Sequence, residues 1–200
     1  MMTPKQIITT ANFSTEVYEM DGIRFRIGII DDIKPFSLAM SFPEEELEDG
    51  WIGGLVILAK KDISKYIRRY GKIFASKFVR FIIAHEVGHI VDFAKNPSNI
   101  INPNDVTGNL DRESIADAYA LNHADIDYVS YKIYCKFLTD EIRISTKELC
   151  RNPILVAICD IIGRLFTRKR LKMSLTKIDG VSIVNPIFKT LSCRVIESIE

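Results

Sequence analysis

The sequence predicts an α+β fold: a small N-terminal β-sheet, a buried helix packed on it, and a mostly helical remainder. Three observations predict it. Strand-like segments, one with apolar–polar alternation, are confined to about the first 60 residues. A segment of helical length, apolar on nearly every face, runs from about position 76 to about 95. Beyond position 126 apolar residues recur at helical spacing.

The elements follow in order. Glu16 to Met20, then Asp21-Gly22, then Ile23 to Ile27 reads as a hairpin, because Asp-Gly favours a tight turn and Ile23, Phe25 and Ile27 alternate with arginines. The acidic run Glu44 to Asp49 reads as a solvated loop or a helix start. Trp51 to Lys60 holds a short strand, Gly53 to Leu58. Asp62 to Tyr70 reads as a helix ending near Gly71, and Ser76 is the candidate cap of the next, which runs to about Lys95. Phe78, Phe81, Ile82, Val87 and Ile90 leave that helix little polar face, so it is expected at the centre of the core. Asn96-Pro97 ends it, and the Asn- and Pro-rich stretch to Asn109 turns the chain back. A helix carrying Glu113 then returns beside the first. Tyr128 to Leu138 and Pro153 to Phe166 are further apolar-periodic helices. Residues 1–125 are read as the core, and 126–200 as a helical C-terminal region packed on it as one domain.

Composition narrows the class. A chain of 200 residues, 47% hydrophobic, supports a sizeable core. Its 27 basic and 26 acidic residues leave a net charge of +1, which argues against nucleic acid or an anionic membrane as partner. Arg164, Arg168, Lys169, Arg170 and Lys172 form a basic cluster, read as a solvated helix face rather than a nucleic-acid site. Cysteines at 135, 150, 159 and 193 form no C-x-x-C pair, and free thiols in a reducing cytosol are expected. No apolar signal core follows Met1, and no run approaches the roughly 18 apolar residues of a spanning helix, so a cytoplasmic protein is the expectation.

The most informative residues are His85-Glu86-Val87-Gly88-His89, an H-E-x-x-H pattern on the central helix. Two of the three histidines of the chain lie here. Residues four apart share a helix face about 6 Å apart along the axis, so both imidazoles can turn toward one ion. Glu86 stands beside them, free of the metal and within reach of a water on it. Lewis acid, water and base are the parts of metal-assisted hydrolysis. A buried helix carrying these polar groups needs partners for them, and a metal supplies them.

Catalytic zinc usually takes three protein ligands and keeps one position open. Glu113, 24 positions after His89, is the favoured third ligand, with Asp111 and Asp117 as alternatives. Asp117 lies four residues after Glu113 and is placed to hydrogen-bond the far nitrogen of a ligand histidine. Asp92 shares the face of His85, but three ligands from one straight helix span about 10 Å, too far to close on one ion. Asp105 and Asp111 fall where aspartate usually caps a helix. The ligand set favours zinc over manganese or iron.

H-E-x-x-H followed by Glu113-x-x-x-Asp117 resembles the gluzincin metallopeptidases. Glu113-Ser114-Ile115-Ala116-Asp117-Ala118-Tyr119-Ala120 is similar to the E-x-x-A-[ND]-x-[FY]-A signature of the short ImmA/IrrE-like peptidases. The resemblance covers about positions 50–125. It implies a zincin-like fold, one Zn2+ per chain on His85, His89 and Glu113, Glu86 as catalytic base, and Asp117 as orienting carboxylate. It implies a protein or peptide substrate, held along an edge strand for which Gly54, Leu55, Val56 and Ile57 are the candidates, an ordinary buried strand being the equal alternative. The transition-state donor is left open among His123, Tyr128 and Tyr119. Of these, Tyr119 falls about 240° round the helix from Glu113 and is expected to face away. The competing function is a non-catalytic regulatory or binding module, in which zinc only ties helices together.

Overall fold

The computed structural model describes residues 2–33, 38–97, 106–149, 152–178 and 184–199. A short helix α1 (Pro4–Thr10) precedes strands β1 (Asn12–Phe13), β2 (Tyr18–Met20), β3 (Ile23–Ile30), β4 (Ala39–Glu46) and β5 (Ile52–Ala59). Helices α2 (Lys60–Lys95), α3 (Val106–His123), α4 (Tyr128–Leu149), α5 (Pro153–Thr176) and α6 (Ile187–Ile199) follow. The α+β organisation is the one expected: a small N-terminal mixed sheet, then helices. No helix among the described residues is long and apolar enough to cross a membrane.

The hairpin at Asp21-Gly22 forms as the sequence requires. Both residues take positive φ, 50° and 75°, and β2 pairs antiparallel with β3, Met20 opposite Ile23. The strand order is β1-β3-β5-β4, with β2 also on β3. β3 and β5 are parallel, and β4 runs antiparallel to β5. β5 is therefore an inner strand. Val56 and Leu58 enter the main core on one face, while Ile57 and Ala59 enter a smaller core under α1 on the other. Burial on both faces explains its unbroken apolar run.

This corrects the edge-strand reading in favour of its equal alternative, a buried strand. Leu55, Val56 and Ile57 are paired on both sides, by β3 and by β4, and Gly54 is paired with β3 beside the irregularity in β4, so the stretch offers no free edge to a peptide. The edge strand is β4. It takes in Glu44, Glu45 and Glu46, which the sequence suggested for a loop or helix start. Strand formation here is decided by pairing with β5 through Glu46, past an irregularity between Phe42 and Glu45, rather than by the propensity of the glutamates.

α2 contains the expected break. Gly71 adopts φ 80° and ψ 166°, non-helical and left-handed, and turns one helical half against the other. The ring of Tyr66 stacks on that of Phe78 at 3.7 Å between centroids, although twelve residues of straight helix would separate them by about 18 Å. Ser76 does not cap the second half; its hydroxyl meets that of Ser192 on α6 at 3.4 Å. The second half carries fully buried Val79, Ile83, Ala84 and Val87 into the main core. α6 closes that core with Phe188, Leu191 and Val195. Cys135, Cys159 and Cys193 are free thiols; Cys150 lies outside the described residues.

Candidate metal centre

The centre is built where α3 crosses the second half of α2. The crossing is close because Gly88 has no side chain. A Cβ there would stand 3.0 Å from Cβ of Tyr119 and 3.1 Å from Cα of Ala116. That contact brings the His85–His89 face of α2 against the Glu113–Asp117 face of α3.

The ligand atoms converge. Nε2 of His85 and Nε2 of His89 are 3.1 Å apart. Oε2 of Glu113 lies 3.5 Å from the first and Oε1 lies 3.4 Å from the second. A tetrahedral ion with bonds of about 2.0–2.1 Å has ligand–ligand edges of about 3.3 Å. The contacts are of that order, with one carboxylate oxygen toward each imidazole, and the His85–His89–Glu113 group, its ligand atoms all within 4.8 Å of one another, can hold a metal ion. The inner face is closed and the outer one open: the side chain of His85 is 6% exposed, that of His89 24% and that of Glu113 34%.

Behind the ligands sits a polar network shielded from water. Nδ1 of His85 is 2.9 Å from Oδ1 of Asp117, the one carboxylate oxygen in ion-pair range of that nitrogen among the described residues. Asp117 is fully buried, and four groups from three helices meet it. Arg170 of α5 donates from Nε to Oδ2 at 2.6 Å and from Nη2 to Oδ1 at 2.7 Å. The Tyr131 hydroxyl of α4 donates to Oδ2 at 2.7 Å, and Ser174 of α5 donates to it at 3.3 Å. The remaining Nη1 of Arg170 reaches Oε2 of Glu113 at 2.7 Å.

These contacts decide the charges. Burial works against ionised carboxylates, but Arg170, with His85 and His89 beside it, holds Glu113 well below its usual range. Asp117 is likewise held down, by Arg170 and His85 against the effect of burial. Burial also opposes charge on His85, yet Asp117 and Glu113 outweigh it and raise its pKa to about 10 in the metal-free protein. The donor set is thus two imidazoles and an ionised carboxylate, with a buried carboxylate and guanidinium behind.

A cleft of about 410 Å³ opens onto the centre. Glu86, His89 and Glu113 form its polar wall, with Arg112, Asn109 and Asp92 beside them. Ala39, Met40, Ser41 and Pro43 of β4 form the facing wall, and Ile90 and Phe93 line it as well. Glu86 therefore shares a cleft with two of the three candidate ligands. Asp92 accepts from Asn96 at the end of α2, Asp111 pairs with Lys177, and Asp105 lies outside the described residues.

The suggested transition-state donors are not at the site. His123 is ten residues beyond Glu113 on α3, about 15 Å along the axis, with its ring against Tyr119. Tyr128 opens α4 with 53% exposure, away from the cleft lining. Tyr119 faces away, as its helical angle required, and donates to Asp21 in the hairpin turn at 2.7 Å.

Arg170, Tyr131 and Ser174 were missed. Arg170 was grouped with Arg164, Arg168, Lys169 and Lys172 as a solvated face, but it turns inward while Arg164, Arg168, Lys169 and Lys172 stay exposed. A signal was present: Phe166, Arg170 and Ser174 recur every four residues, which puts an arginine on the inward stripe of α5. Compared with protein-family models, with curated proteins and with solved structures, the chain finds no match.

Proposed function

We propose that the protein is a zinc-dependent metallopeptidase that hydrolyses peptide bonds in a protein substrate, on a zincin-like scaffold. The observation that carries this reading is the position of Glu86. It lines the same open cleft as His89 and Glu113, two of the three residues of the candidate ligand set. A purely structural zinc site is normally closed by four protein ligands and has no use for a base.

A zinc ion held by His85, His89 and Glu113 would supply a Lewis acid that acidifies water toward neutral pH and polarises a carbonyl. The chain supplies the rest. Glu86 takes the proton of the attacking water and returns it to the leaving amine. Asp117 holds the ring of His85 through Nδ1, so that Nε2 keeps its lone pair toward the ion. β4 is the strand an extended peptide would join, since its Ala39–Pro43 stretch walls the cleft and its outer edge is unpaired among the described residues. Arg112 brings a cationic donor to the same cleft.

The test has two parts. Metal content is measured by mass spectrometry on wild type and Glu113→Ala, prepared without added metal. Cleavage of a mixed peptide library is then followed for wild type and Glu86→Gln. About one zinc per wild-type chain, lost in Glu113→Ala, with library cleavage abolished in a zinc-loaded Glu86→Gln, is the expected result. Zinc-loaded wild type that cleaves nothing would favour a regulatory binding module, and wild type that takes up no zinc would end the metal reading.

A further inference from the structure

We infer that Arg170 is the positioning residue of the metal centre, so that α5, which contributes no ligand, sets the geometry of the ligands on α2 and α3. The inference rests on the metal reading above.

All three nitrogens of the Arg170 guanidinium are committed to two carboxylates, Asp117 behind His85 and the candidate ligand Glu113. Glu113 and Asp117 lie one turn apart on α3, and the guanidinium of Arg170 bridges them. It fixes the orientation of both. Its Nε and Nη2 grip Asp117 side-on, which points Oδ1 at the ring of His85. Its Nη1 holds Oε2 of Glu113, which leaves Oε1 turned toward His89. One planar side chain thereby sets both the third ligand and the histidine-orienting carboxylate.

The arginine is itself held in place. It is 9% exposed, and its backbone carbonyl accepts from Ser174, whose hydroxyl also meets Asp117. Lysine cannot replace it, because a point charge on a flexible stem does not make two side-on bonds to one carboxylate and a third to another.

The test uses the full chain as wild type, Arg170→Gln, Arg170→Met and Arg170→Lys. Three quantities are read: the zinc dissociation constant by chelator competition, the visible ligand-field bands of the cobalt(II)-loaded protein, and the unfolding temperature of the metal-free protein. Loss of a group that orients ligands weakens metal binding by about 10- to 100-fold. That loss is expected in Arg170→Gln and Arg170→Met, together with shifted or weakened cobalt bands. Arg170→Lys is expected to keep the fold better than either and still bind zinc more weakly than wild type. A variant that unfolds more easily but keeps the wild-type zinc constant and cobalt bands would make Arg170 a merely structural residue and overturn the inference. Should Gln and Met variants fail to fold, Arg170→Lys decides alone, wild-type values there being the overturning result. Wild type that binds neither zinc nor cobalt overturns the metal reading along with it, whereas wild-type binding with unaltered variants sinks only the role of Arg170.

Discussion

Oδ1 of Asp117 stands 2.9 Å from Nδ1 of His85, on the side of the ring away from the Nε2 that faces His89 and Glu113. The pair links a buried charge cluster to a candidate ligand, and it makes Asp117 the residue whose loss should be felt twice. In Asp117→Asn the amide keeps the shape but not the charge, so Arg170 loses its bidentate partner while staying buried. Breaking a buried pair from one side costs about 3–5 kcal/mol. Loss of the orienting carboxylate weakens metal binding by about 10- to 100-fold. Thermal unfolding and chelator competition on Asp117→Asn check both. An unchanged zinc constant would show that His85 needs no orienting carboxylate.

Gly88→Ala tests the crossing of α2 and α3. By helix propensity alone alanine should stabilise by about 1 kcal/mol. Its Cβ, however, meets Cβ of Tyr119 and Cα of Ala116, atoms that cannot swing aside. Overpacking of this kind costs about 1–3 kcal/mol, so the net effect is expected to be destabilising. Moving α3 outward also moves Glu113, so zinc should bind more weakly. Urea unfolding with a parallel metal titration measures the two effects. A more stable variant with intact metal binding would mean that the helices do not cross here.

The metal-free protein should carry a pH signature. The folded pKa of His85 is raised from 6.5 to about 10 by Asp117 and Glu113. Its stabilising contribution is therefore complete below about 6.5 and lost as the pH rises through about 10. The unfolding temperature of the metal-free protein should fall over that interval. Zinc needs the neutral imidazole, so at pH 7.5 its binding should release about one proton from His85, and zinc affinity should increase with pH. Calorimetry in buffers of different ionisation enthalpy counts the proton. In Asp117→Asn the released proton should be largely absent near pH 7.5. Proton release unchanged by that substitution would refute the assignment.

Much of the site could be read from spacing. His85, Glu86 and His89 on one face, and Glu113 with Asp117 on another, follow from helical period, and the structure brings these two faces together. The breaks at Asp21-Gly22 and Gly71 were legible for a different reason, since both need positive φ that few residues accept. Gly54 to Ile57 left two readings open, because an apolar run is compatible with an inner or an edge strand until its neighbours are known. Glu44 to Glu46 misled, since glutamates favour solvent and only pairing with β5 makes them a strand.

What the sequence by itself determined is local: which side chains share a helix face, where the backbone must turn, and which helix is buried. Those properties follow from fixed periods and from steric limits within a few residues. Which strand forms the edge of the cleft, and which of five clustered basic residues turns inward to hold two carboxylates, was decided only by tertiary structure. Arg170 lies 53 positions from the Asp117 it binds. No local period carries information over that distance. The energy that buries its charge comes from partners that α3 and α5 bring together only when they pack.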